Sequence, residues 1–136
     1  MTVHNSDRYL QVQMTILLVD DDQDDQDLFR EAASIVVPDI QCLVARDGEQ
    51  GLAQLNSLAL LPDYIFLDVN MPKMDGKEFL KRVKANPVFM EIPVIIYSTS
   101  NHKSELGEYF KMGASNFITK PSEFNLLLTY LKSVLL

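Results

Sequence analysis

The residues of this chain with the most chemical potential are carboxylates, one hydroxyl and one lysine, each at the end of an apolar run. Six aspartates fall within eight positions, at Asp20, Asp21, Asp22, Asp24, Asp25 and Asp27. Asp68 closes the run Tyr64 to Leu67, Ser98 closes Val94 to Tyr97, and Lys120 precedes Pro121 after Asn116 to Thr119. Carboxylates such as Asp21 and Asp68 are hard oxygen ligands suited to Mg2+, which takes few groups from protein and keeps several waters. A phosphoryl group is the natural third party. Its spread negative charge is best met by a metal, an ammonium and hydroxyl or backbone donors in fixed positions. Lys120 and Ser98 supply the last two types, and Asp68 is then the candidate nucleophile, because a carboxylate can carry phosphate as an aspartyl phosphate. A blander reading has the aspartates capping and solvating the first turn of a helix, where negative charge meets the positive end of the dipole. That suits Asp24, Asp25 and Asp27, with Asp22 a solvated neighbour. It suits Asp20 and Asp21 less, since they follow Ile16-Leu17-Leu18-Val19, which reads as a strand buried on both faces, where a carboxylate needs a partner.

The elements that must position these groups form a repeating pattern. Strands are expected at Thr15 to Val19, Ile40 to Ala45, Tyr64 to Asp68, Val94 to Ser98 and Asn116 to Thr119, all short and rich in β-branched or aromatic residues. Between and after them apolar residues recur at three- and four-residue intervals, marking helix faces turned to a core. These are Leu28, Phe29, Ala32, Ile35 and Val36; Leu52, Leu55 and Ala59; Phe79, Leu80 and Val83; Leu106, Tyr109 and Phe110; Phe124, Leu127, Leu128 and Leu131. Right-handed crossovers then predict an α/β fold: a five-stranded parallel sheet with helices on both faces, a doubly wound (βα)5 arrangement. In such sheets ligands sit beyond the carboxyl ends of the strands, at the point where strand order reverses.

With 136 residues the chain has room for one domain, expected over 14–136, preceded by an extension over 1–13 that reads as a tail or an arm. The net charge is −7, and the acidic cluster carries nearly all of it. Without a basic stripe, direct nucleic-acid binding is excluded. No apolar run approaches the roughly 20 residues of a membrane span, so a cytoplasmic protein is expected. Cys42, the single cysteine, can form no internal disulfide and reads as a buried thiol. His4 and His102 have no partners at ligand spacing.

Four stretches carry a resemblance. Ile16-Leu17-Leu18-Val19-Asp20-Asp21-Asp22, Leu67-Asp68-Val69-Asn70-Met71-Pro72-Lys73-Met74-Asp75-Gly76, Pro93-Val94-Ile95-Ile96-Tyr97-Ser98 and Gly113-Ala114-Ser115-Asn116-Phe117-Ile118-Thr119-Lys120-Pro121 resemble the receiver domains of two-component response regulators. The similarity is to the CheY-like, stand-alone type, whose flavodoxin-like sheet is the one expected here. It covers residues 14–136 and is specific because four motifs occur in order, each at an expected strand end. The resemblance implies that Asp68 is the phosphoacceptor, Asp21 a direct Mg2+ ligand with Asp20 in support, and Asn70 a backbone-carbonyl ligand. Mn2+ is able to stand in for Mg2+. It further implies phosphate contacts from Ser98 and Lys120, a switch built of Ser98 and Phe117, and a cis peptide between Lys120 and Pro121. The phosphoryl donor would be a sensor histidine kinase or a histidine phosphotransfer protein. Output would pass through the fourth helix, fifth strand and fifth helix, with Lys103, Glu105, Glu108, Lys111 and Asn116 exposed there, in a monomer or weak homodimer. Such a chain is no enzyme beyond promoting its own phosphorylation and dephosphorylation, and its downstream protein partner is unknown.

One departure stands out. The family often has a small residue after the strand-four hydroxyl, whereas Thr99 and Ser100 follow here; with Asn70 they are expected to set the phosphoryl lifetime by controlling the attacking water. The stretch Ser98-Thr99-Ser100-Asn101 also resembles stand-alone receivers partnered with phytochrome-type or other sensor kinases. The first rival reading is a degenerate receiver acting as a phosphorylation-independent adaptor, which the full set of key residue types argues against. A haloacid-dehalogenase-like phosphatase would want an acid/base aspartate two residues after the nucleophile, where Asn70 stands. A flavodoxin-like flavin carrier would have its phosphate repelled by the acidic cluster.

Overall fold

The structure is a computed structural model that describes residues 13–69, 71, 74–99 and 104–136. Its strands are β1 (Thr15–Val19), β2 (Gln41–Ala45), β3 (Tyr64–Leu67), β4 (Val94–Ser98) and β5 (Asn116–Thr119), and its helices α1 (Gln23–Val36), α2 (Gly48–Ser57), α3 (Gly76–Ala85), α4 (Leu106–Lys111) and α5 (Phe124–Leu135). All strand pairs are parallel, in the order β2-β1-β3-β4-β5. The expected sheet is therefore the observed one. β2 begins one residue later than expected, and β3 ends at Leu67 with Asp68 as the first residue beyond it.

Period-two alternation divides the core between two faces. Leu17, Val19, Ile65, Leu67 and Ile96 point to one side and pack with Leu55, Phe79, Leu80, Val83 and Tyr109 from α2, α3 and α4. Ile16, Leu18, Phe66, Ile95 and Tyr97 point to the other and pack with Phe29, Ala32, Ala33 and Val36 of α1 and Leu127, Leu131 and Leu135 of α5. Leu28, Ile35 and Phe110, expected in the core, are instead exposed by 47%, 53% and 42%. The buried arc of α1 is filled by Phe29, Ala32, Ala33 and Val36, and Leu28 and Ile35 sit one position outside it. Cys42 is half-buried rather than buried. Burial still pushes its thiol up to about 11, which keeps it protonated near neutral pH.

The chain leaves β1 for β2 on one side and later enters β3 on the other, so strand order reverses at β1 and a crevice opens between the carboxyl ends of β1 and β3. Three aspartates start the helices at this end. Asp22, Asp47 and Asp75 accept from the backbone N–H groups of Asp25, Gln50 and Glu78 at 2.9–3.0 Å. Asp22, read from sequence as a solvated neighbour, is thus the cap of α1. Among the described residues no helix is long and apolar enough to cross a membrane.

Candidate functional site

Backbone ladders bring the site residues to one rim. The Asp20 N–H donates to Ala45 O (2.9 Å), Asp68 N–H to Val19 O (2.9 Å) and Lys120 N–H to Ser98 O (2.7 Å), so each residue continues its strand's pairing one step past the end. Side chains that turn outward there meet across the crevice. Carboxylate oxygens of Asp20, Asp21 and Asp68 all lie within 4.8 Å of one another. Ser98 Oγ donates to Asp68 Oδ1 at 3.3 Å, and Lys120 Nζ donates to Asp68 Oδ2 at 3.2 Å. Asp20, Asp68 and Ser98 are buried, at 0%, 6% and 1% exposure, which makes every charge in the cluster count.

Asp20 is the most constrained member. Its Oδ1 accepts from the Asp22 N–H at 2.9 Å, and its main-chain oxygen accepts from Gln26 Nε2 at 2.6 Å. Its Oδ2 forms an ion pair with Lys120 Nζ at 2.8 Å but has no partner in hydrogen-bond geometry among the described residues, whereas Asp25 and Asp68 each accept from the same ammonium. Burial pushes the Asp20 carboxyl up to about 6 against the opposing pull of Lys120. Burial also opposes the charge on Lys120, but its close pairing with Asp20 and Asp25 outweighs it and holds the ammonium above its ordinary value. Three carboxylates, Asp20, Asp25 and Asp68, thus share one ammonium, and Asp21 adds a fourth carboxylate beside Asp20 and Asp68. An excess of carboxylate, with one buried oxygen lacking a hydrogen bond, fits a divalent cation beside Asp20, Asp21 and Asp68.

Asn70, the expected carbonyl ligand, and Ser100 lie outside the described residues, as do Lys103 and the extension up to residue 12. Thr99 follows β4 on the exposed rim. Phe117 is half-buried, with its ring 6.4 Å from Tyr109 of α4. Tyr109 hydroxyl donates to Glu105 (3.3 Å), and Lys77 of α3 bridges Glu105 and Glu108 at 3.1 Å each, so the expected output face is tied to α3. Of the other residues expected there, Lys111 and Asn116 are exposed. The Lys120–Pro121 peptide, expected cis, is trans. An X–Pro amide leaves the two isomers within about 1 kcal/mol, so the dipeptide by itself does not select one.

Sequence reasoning missed three neighbours of the site. Gln26 anchors Asp20, Asp25 pairs with Lys120 at 2.8 Å, and the Tyr97 ring lies 5.5 Å from Lys120 Nζ. The i, i+3, i+4 spacing of Asp22, Asp25 and Gln26, which places them on one side of a helix start, was the available signal.

The loop after β3 leaves no room for a side chain at Gly76. A Cβ there would fall 2.4 Å from Val69 Cα, and the Gly76 N–H donates to Val69 O at 3.2 Å. Helix propensity alone favours alanine by about 0.5–1 kcal/mol. A backbone clash outweighs it, so Gly76→Ala is expected to lower stability by about 2 kcal/mol net, read from the urea midpoint. An unchanged or higher midpoint would show that Val69 yields.

An open parallel sheet with an acidic cluster, a hydroxyl and a lysine converging at its switch point is the architecture of a signalling receiver module. The response regulator receiver domain model matches residues 16–132, and the chain belongs to that family. It is 32% identical over 110 residues to response regulator Rcp1 of Synechocystis, covering 77% of this chain and 75% of that protein. The phosphorylated cyanobacterial phytochrome response regulator RcpA superposes with a TM-score of 0.82 at 30% identity, covering 90% of this chain and 91% of that one. The Mn2+-bound form of Rcp1 gives 0.78 at 28% identity, covering 89% and 91%. The chain spans only 14% to 51% of several further curated relatives.

Proposed function

We propose that this receiver accepts a phosphoryl group on Asp68 from a phosphohistidine of a sensor kinase or phosphotransfer protein, in a reaction dependent on Mg2+. The observation that supports it best is the convergence of Ser98 Oγ and Lys120 Nζ on the two oxygens of a buried Asp68. Asp21, Asp68 and the Asn70 carbonyl would hold the cation, with Asp20 in support. Once bound, the cation supplies positive charge against the phosphoryl oxygens, a role Mn2+ can share, as the Mn2+-bound Rcp1 suggests. Lys120 and Ser98 supply the remaining donors from fixed positions, and burial excludes competing water. The phytochrome response regulator among the similar structures favours a phytochrome-type sensor kinase as donor, and the reaction would take place in the cytoplasm.

After transfer, Ser98 turns toward the phosphoryl oxygens, Phe117 moves into the space released, and the α4-β5-α5 face changes shape for a protein partner or a second copy. Thr99, with Ser100 and Asn70, governs how fast water reaches phosphorus. The test is intact mass after incubation with acetyl phosphate. With Mg2+ the protein is expected to gain about 80 Da, one phosphoryl group, and with EDTA nothing. No gain from acetyl phosphate or from a phosphohistidine donor, with Mg2+ bound, would favour the phosphorylation-independent adaptor instead.

A further inference from the structure

Lys120 is surrounded unevenly. Asp20, with no exposed surface, and Asp68, nearly buried, face the ammonium from inside the sheet; Asp25, 36% exposed by side chain, faces it from the first turn of α1. Two of the three ammonium donors are aligned on acceptors, Asp25 Oδ2 at 2.8 Å and Asp68 Oδ2 at 3.2 Å. The shorter bond is to the carboxylate that belongs to neither the acceptor nor the proposed cation ligands. Tyr97 completes the enclosure with its ring face 5.5 Å from Nζ. Asp25 is itself fixed, because its N–H is the one that caps on Asp22 (3.0 Å). A lysine on a four-carbon stem needs such a constraint to stay in one place.

From this geometry we infer that Asp25 is a positioning residue: it holds the Lys120 ammonium beside Asp68, so that phosphoryl oxygens arriving at Asp68 meet a donor already in place. The inference rests on Asp68 as phosphoacceptor. In the transfer from acetyl phosphate, an Asp68 oxygen bonds to phosphorus while the bond from phosphorus to the acetate oxygen breaks, and acetate leaves with that electron pair. No proton moves. Negative charge redistributes over the equatorial oxygens, and a prepositioned ammonium lowers the barrier without reorganising.

Three variants separate this role from simple charge or stability effects. Asp25→Ala removes acceptor and charge; Asp25→Asn keeps an acceptor oxygen; Asp24→Asn removes an equal charge one residue away, where no contact with Lys120 exists among the described residues. At saturating acetyl phosphate and Mg2+, Asp25→Ala is expected to lose roughly tenfold in maximal phosphorylation rate, with Asp25→Asn and Asp24→Asn close to wild type. A second readout needs neither phosphate nor metal. The side-chain NH3+ correlation of Lys120, assigned by its loss in Lys120→Arg, is expected in wild type and Asp25→Asn and broadened by water exchange in Asp25→Ala. If Asp25→Ala keeps both the signal and the rate, Asp20 and Asp68 suffice to hold the lysine and the inference falls. If the signal responds but wild-type protein gains no phosphoryl mass, the acceptor reading falls while the placement of Lys120 by Asp25 stands.

Discussion

Asp68→Asn is expected to abolish the phosphoryl mass gain while leaving the fold intact. The substitution keeps the shape of a side chain that is 6% exposed, and an amide oxygen can still accept from Lys120 Nζ or Ser98 Oγ. What it removes is the charged oxygen that attacks phosphorus, a group no neutral amide replaces. It also takes one carboxylate from the proposed cation site. Mg2+ affinity is expected to fall at least about tenfold by calorimetry, since disturbing even a ligand's supporting contacts has effects of that size. A mass gain in Asp68→Asn equal to wild type would overturn the assignment and move the acceptor to Asp20 or Asp21.

Lys120→Met should have the largest effect on stability. Methionine fills much of the same volume, so the loss is electrostatic: Asp20, fully buried, and Asp68 would face each other and Asp25 with no ammonium between them. Breaking a buried ion pair by removing one partner costs about 3–5 kcal/mol, because the remaining charge stays desolvated. In EDTA, Lys120→Met is expected to unfold at a lower urea concentration by about 3 kcal/mol of stability. Added Mg2+ should restore more stability to the variant than it adds to wild type, since the cation returns positive charge to the same carboxylates. A merely packed lysine predicts a smaller loss and no difference in response to Mg2+. Phosphorylation from acetyl phosphate should slow sharply even when Mg2+ recovers the fold, because the donor on Asp68 Oδ2 is gone.

The apolar runs, their period-two alternation and the helical faces between them are local properties, and they specified five strands, five helices and a doubly wound parallel sheet in advance. The strand-end positions of Asp20, Asp21, Asp68, Ser98 and Lys120 were equally legible, because a residue just past a buried run has one place to go in such a sheet. Four motifs in order made the family legible too. Helix faces were less so: Leu28 and Ile35 fit an apolar stripe by spacing yet lie outside the buried arc, since the angle at which α1 meets the sheet and α5 is set by packing rather than by period.

Which aspartate does what was decided only in three dimensions. Asp22 and Asp25 are adjacent turns of one acidic run, and either could cap a helix. The phase of α1 against the end of β5 gives Asp22 the cap and turns Asp25 onto Lys120, a residue 95 positions away. Sequence by itself determined which chemical groups reach the rim of the sheet, because strand ends are local. The tertiary structure decided how they pair, because hydrogen bonds of 2.8 Å depend on strand order and helix phase that no short stretch of chain contains.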